Sequence, residues 1–110
     1  MNHVTIDGRL TRDIEVRYSA KGNAVASFSV AVNEKYNGNE TTTFVDVTAF
    51  GKTAESMPHA KGSLVCVVGR LKQEEWTDKQ SGQQRRKLVV IADRVYVASN
   101  GGVHGRANWT

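Results

Sequence analysis

The stretch Phe44-Val45-Asp46-Val47-Thr48-Ala49-Phe50 decides how this chain folds. Aliphatic side chains take every second place (Val45, Val47, Ala49), and a period of two is that of a β-strand with one face buried. The opposite face carries Phe44, Asp46, Thr48 and Phe50, two rings among polar groups. Core rings should lie on the aliphatic face, so these two are predicted to stand outside.

Moving outward, the same period recurs. Val4, Ile6, Gly8 and Leu10 alternate with Thr5, Asp7 and Arg9. Ala24, Ala26, Phe28, Val30 and Val32 follow a turn at Lys21-Gly22-Asn23, and here Phe28 shares the aliphatic face and is predicted to be core. A polar stretch over residues 33–41, containing Asn37-Gly38, reads as a loop. After Phe50 the alternation breaks. Ala54, Glu55, Ser56 and Met57 suit a short helix that Pro58 would end. Lys61-Gly62 turns into a strand over 63–76, where Gly69 marks a bulge or bend. Ser81-Gly82 punctuates a polar turn, and a last strand runs over 86–98. The pattern predicts an all-β chain: a five-stranded Greek-key barrel of the OB type, with a short helix between strands 3 and 4. Residues 1–98 form the domain, and 99–110, opening Ser99-Asn100-Gly101-Gly102, form a short flexible tail.

Composition agrees with one small domain. The 110 residues suffice for a single core, and 39% hydrophobic content exceeds that of disordered chains. Fifteen Lys and Arg against eleven Asp and Glu leave a net charge of +4, which suits an anionic partner without requiring one. Cys66 is the single cysteine, so an intrachain disulfide and a thiolate zinc site are excluded. In the run Leu64-Val65-Cys66-Val67-Val68 it reads as a small buried hydrophobe. The start MNHVTIDGR lacks the apolar region of a signal peptide, and no stretch is apolar enough to span a membrane. A cytoplasmic protein without membrane attachment is expected.

Four rings fall in polar surroundings: Tyr36 in the 33–41 stretch, Phe44 and Phe50 on the polar strand face, and Trp76 after Glu74-Glu75. Exposed rings call for a use, and nucleic-acid bases stack on them whatever their identity. Cations accompany them: Lys35 beside Tyr36, Lys52 after Phe50, Lys61, Lys72 before Trp76, and Arg85 and Arg86 across the last hairpin. These six are the candidate phosphate contacts, and Lys87 is left out. The competing reading for each ring is a subunit contact, and for each cation a solvated charge. A metal-dependent nuclease using Asp7, Asp46 and Glu55 finds no support in their spacing, and His3, His59 and His104 are too scattered to be ligands. No enzyme, catalytic residue, metal or other cofactor is expected. A purely structural oligomerisation barrel is the remaining alternative.

A resemblance sharpens this. Gly8-Arg9-Leu10-Thr11-Arg12-Asp13 followed by Glu15-Val16-Arg17-Tyr18 resembles the opening of bacterial single-stranded-DNA-binding proteins. The likeness continues through Gly22-Asn23-Ala24-Val25-Ala26, Phe44 to Lys52 with its Ala-Phe-Gly-Lys ending, Lys61-Gly62-Ser63, Gly69-Arg70-Leu71 and Trp76-Thr77-Asp78. It implies an OB-fold whose base-stacking rings are Tyr36, Phe44, Phe50 and Trp76, with Lys52 and Lys61 on the DNA backbone. It also implies a homotetramer that coats single-stranded DNA in replication, recombination or repair, associated with the nucleoid. In that assembly the first strand pairs with its own copy, so Val4, Ile6 and Leu10 become interface candidates. A primosome-type dimeric paralogue, binding single-stranded DNA and a helicase, is the alternative within the fold.

The departures are specific. Ile14 replaces the usual proline, Glu74, Glu75 and Asp46 put negative charge near the rings, and the segment between Gly51 and Gly62 is short. The resemblance implies recruitment of replication and repair proteins by an acidic C-terminal tip, but no acidic residue follows Asp93. The form expected is one lacking the acidic tail, the alternative being that the sequence is cut short before it.

Overall fold

The computed structural model describes residues 1–57 and 60–99. Its strands are β1 (Val4–Leu10), β2 (Val16–Tyr18), β3 (Ala24–Tyr36), β4 (Asn39–Phe50), β5 (Leu64–Thr77) and β6 (Gln84–Ser99), with the helix α1 (Gly51–Glu55) between β4 and β5. The sheet order is β1-β5-β6-β4-β3-β2, and a further β1–β3 pairing closes it into a barrel. All pairings are antiparallel except β4–β6, which is parallel. Five long strands therefore form a closed OB-type barrel, as the alternation predicted.

The short β2 was not expected, since three residues are too few to show a period. It continues β1 along β3: Leu10 faces Val30, and Val16 faces Ala26. The intervening residues bow out, and Ile14 turns back into the core.

Alternation buries one face of each strand. Leu10, Phe28, Val30, Val47, Val65, Val67 and Val90 fill the barrel, joined by Ala54 and Met57 from and just beyond α1. The helix spans Gly51–Glu55, three residues ahead of the predicted one, because Gly51 at φ +62° lets the chain turn directly out of β4. Gly69 sits where the β5–β6 register slips, pairing with Ala92 while Val68 pairs with Arg94 and leaving Asp93 as the extra residue. A Cβ at Gly69 would collide with the backbone carbonyl of Ile91, so the bend needs glycine.

Two expectations need correction. Residues 33–41 are not a loop, because β3 runs to Tyr36 and β4 starts at Asn39. Asn37 and Gly38 alone make the turn, with φ of 50° and 78°, which is the two-residue hairpin geometry that Asn-Gly favours. Cys66 is half-buried rather than core. It lies on the outer face between Asp7 and Tyr96, and burial together with the Asp7 carboxylate pushes its thiol pKa up. The predicted tail lies outside the described residues from position 100 onward.

Candidate nucleic-acid interface

The outer face of β4 carries Phe44, Asp46, Thr48 and Phe50, and β3 sets Ala31, Ser29, Ser27 and Val25 beside them in that order. These neighbours are small or short, so the rings are not covered. Phe44 is 68% exposed and Phe50 is 50% exposed. Six residues of strand separate them by about 20 Å.

The same face continues onto β6 and β5. Thr48 is in register with Ile91, Lys72 with Val89, Glu74 with Lys87, and Trp76 with Arg85. Trp76, 46% exposed, thus stands on the sheet face that bears Phe44 and Phe50. The Lys87 ammonium reaches across to Asp46 at 3.7 Å, tying β6 to the middle of the β4 face. A groove of about 410 Å³ runs here, with Phe50, Thr48 and Val89 along it and Arg12, Asp46, Glu74 and Lys87 as its charges. Glu74 and Lys87 also line an adjoining hollow of about 580 Å³ that reaches Lys72 and Trp76.

Tyr36 is the outlier. It is 78% exposed at the tip of the β3–β4 hairpin, but alternation puts it on the other side of the ribbon from Ala31 and Phe44. Three rings share a face, and the fourth stands on an arm beyond it.

The candidate cations are dispersed. Lys52 follows Phe50 by two residues on α1, and Lys35 shares the alternation of Ala31. Arg85 pairs with Asp78 at 3.5 Å, while Arg86 faces Glu75 on the side opposite Trp76. Lys61 lies at the turn before β5, its backbone N–H donating to Asp13 Oδ1 at 2.7 Å. Lys87, set aside among the hairpin cations on the sequence alone, occupies the groove itself. Its position depends on the parallel β4–β6 pairing, a contact with no local signature.

Asp78 anchors the β5–β6 turn. Its carboxylate accepts the backbone N–H of Gln80 at 2.9 Å and faces Arg85. Hydrogen bonding, first from Gln80 and then from Ser81 and Arg85, holds its pKa below the ordinary carboxylate value.

Of the interface candidates on β1, the Leu10 side chain is buried in the protomer's own core, while Val4 and Ile6 are half-buried against it. What β1 presents outward is backbone, since β3 pairs only with Arg9 and Leu10 on that side. Among the described residues no three His, Cys, Asp or Glu side chains gather to hold a metal, and no helix is long and apolar enough to cross a membrane.

Comparison with known proteins gives the lineage. The chain is 42% identical to the single-stranded DNA-binding protein of Wolinella succinogenes, covering 94% of this chain and 71% of that one. It is 41% identical to the protein of that name from Deinococcus radiodurans over 98% of its length, though that spans only 37% of the longer relative. The Borreliella burgdorferi protein of the same name is 36% identical, with 92% and 72% covered. A family model described as the single-strand binding protein family matches residues 1–98, and on these grounds the chain belongs to that family.

Proposed function

We propose that this protein binds single-stranded DNA with little regard for sequence and coats it during replication, recombination or repair. The observation that carries this is the common sheet face of Phe44, Phe50 and Trp76, with Tyr36 on the adjacent arm. A base stacked on such a ring contributes roughly 1–3 kcal/mol without reading its edges. Paired bases hide their faces, so a surface built this way selects unpaired strands. Lys35, Lys52, Lys61, Lys72, Arg85 and Arg86 take the phosphates, with Arg85 first having to leave Asp78. The role is binding rather than catalysis, as the names of its relatives indicate. A nucleoid-associated place in the cytoplasm follows from that role.

The finer reading is a homotetramer built on pairing of β1 with its copy. It is supported by the open backbone edge of Val4–Gly8, since an uncovered edge invites another strand. Oligo-dT and duplex DNA titrated at two salt concentrations test the binding. Tight, salt-dependent binding of oligo-dT over duplex is expected, and equal affinity for the two would overturn the proposal. Native mass spectrometry tests the assembly: four subunits support it, whereas two would favour the dimeric, helicase-binding type.

A further inference from the structure

The groove beside Phe50 does not end there. Arg12, Val25 and Ser27 line it and also line a second hollow of about 570 Å³, whose charged rim is Arg12, Arg17, Asp13 and Glu15. Shared walls make the two one depression. The strand register explains the continuity, because Arg17 faces Val25 and Val25 faces Phe50. These three residues form a row across β2, β3 and β4. At the usual strand spacing, Arg17 and Phe50 have backbones about 10 Å apart on the same face.

Resting on the reading above, we propose that a DNA strand leaving Phe50 continues over β2, where Arg12 and Arg17 hold its phosphates and Tyr18 offers a further ring. Both arginines are exposed, and neither belongs to an ion pair among the described residues, where the pairs are Arg70–Asp93, Arg85–Asp78 and Lys87–Asp46. A guanidinium fork matches phosphate oxygens geometrically, which a solvated lysine does less well. Tyr18 is 62% exposed at the end of β2, where it lines the hollow from the side opposite Arg17. Two carboxylates oppose the arginines. Asp13 is already engaged, accepting the Lys61 N–H at 2.7 Å, so Glu15 is the charge a phosphate would meet. The strand, rather than a separate ligand, is the occupant because the hollow opens directly into the groove that holds Phe50.

The test is a set of anisotropy titrations with dT oligonucleotides of increasing length at several salt concentrations. The variants are Arg12→Gln with Arg17→Gln, Tyr18→Ala, Glu15→Gln and, as the control for the main groove, Phe50→Ala. The double arginine variant should flatten the salt slope by about 1.4, at roughly 0.7 per lost single-strand contact. Its affinity should also stop rising at a shorter oligonucleotide than the wild type's. Tyr18→Ala should weaken long oligonucleotides several-fold, and Glu15→Gln should strengthen them, an arm that leaves both arginines in place. Should Phe50→Ala weaken binding while the β2 variants keep the wild-type slope and length dependence, the extension over β2 is overturned and the main groove stands. Failure of the wild type to bind oligo-dT at all removes both.

Discussion

Asp46 and Lys87 hold each other in the middle of the ring-bearing face, each about half exposed. A pair so hydrated contributes on the order of 0–1 kcal/mol, so an arriving phosphate can displace it cheaply. Asp46→Asn should therefore raise affinity for oligo-dT several-fold and steepen the salt slope by about 0.7, as Lys87 becomes free for phosphate. An unchanged slope would take Lys87 off the strand's path. Phe50→Ala and Trp76→Ala should each cost roughly 1–3 kcal/mol of binding while subunit assembly survives, as native mass spectrometry would show. On the proposed reading stacking would carry much of the affinity, since Asp46, Glu74 and Asp78 offset part of the positive charge nearby. Phe44 and Phe50 were legible as exposed because a side chain's face follows from its parity along the strand, whereas Tyr36 and Trp76 stood out only by their polar neighbours. The partner of Lys87 was not legible, because Asp46 lies 41 residues away in sequence (87 − 46).

At the level of elements, the β5–β6 turn is held in part by an acid-sensitive carboxylate. Asp78 accepts from Gln80 and faces Arg85, and its backbone carbonyl accepts the Gly82 N–H at 2.7 Å. Because its pKa is lowered on folding, this stabilisation is present above the ordinary carboxylate range and is lost as pH falls through the lowered value. Hydrogen exchange at the Gln80 amide should accelerate with acidification beyond the intrinsic pH effect, and Asp78→Asn should abolish that excess. The β3–β4 hairpin turns on Gly38 at φ +78°, so Gly38→Val should cost about 1 kcal/mol or more and loosen the arm that carries Tyr36. That arm shows what alternation can and cannot reveal. Both its faces are exposed, as Asn33, Glu34, Thr41 and Thr42 are, so no apolar period marks it. Hydrophobic period reports burial, and a strand that leaves the core becomes invisible to it. The Asn-Gly pair remained as the one local sign of a tight hairpin.

For the whole molecule, the barrel rests on contacts between distant parts of the chain: β1 with β5, and β4 with β6. Such topology closes many loops before it gains much, and refolding followed by stopped-flow fluorescence should take milliseconds to seconds. The count and order of the five long strands were readable because each has its own apolar run, which the three-residue β2 lacks. Barrel closure was inferred from that order, whereas the slip at Gly69 was marked by the glycine itself. The strand order has a consequence for synthesis. β6 is made last yet lies between β4 and β5. Until it emerges from the ribosome, those two strands keep bare edges beside Val47 and Val65, and a nascent chain in that state is open to aggregation. A chain stopped after Gln83 should scatter light at concentrations where the complete one stays clear. Phe44 and Phe50 already exist in that fragment, but the strand that joins their sheet to Trp76 does not. The grip on DNA is therefore unfinished until β6 has been made.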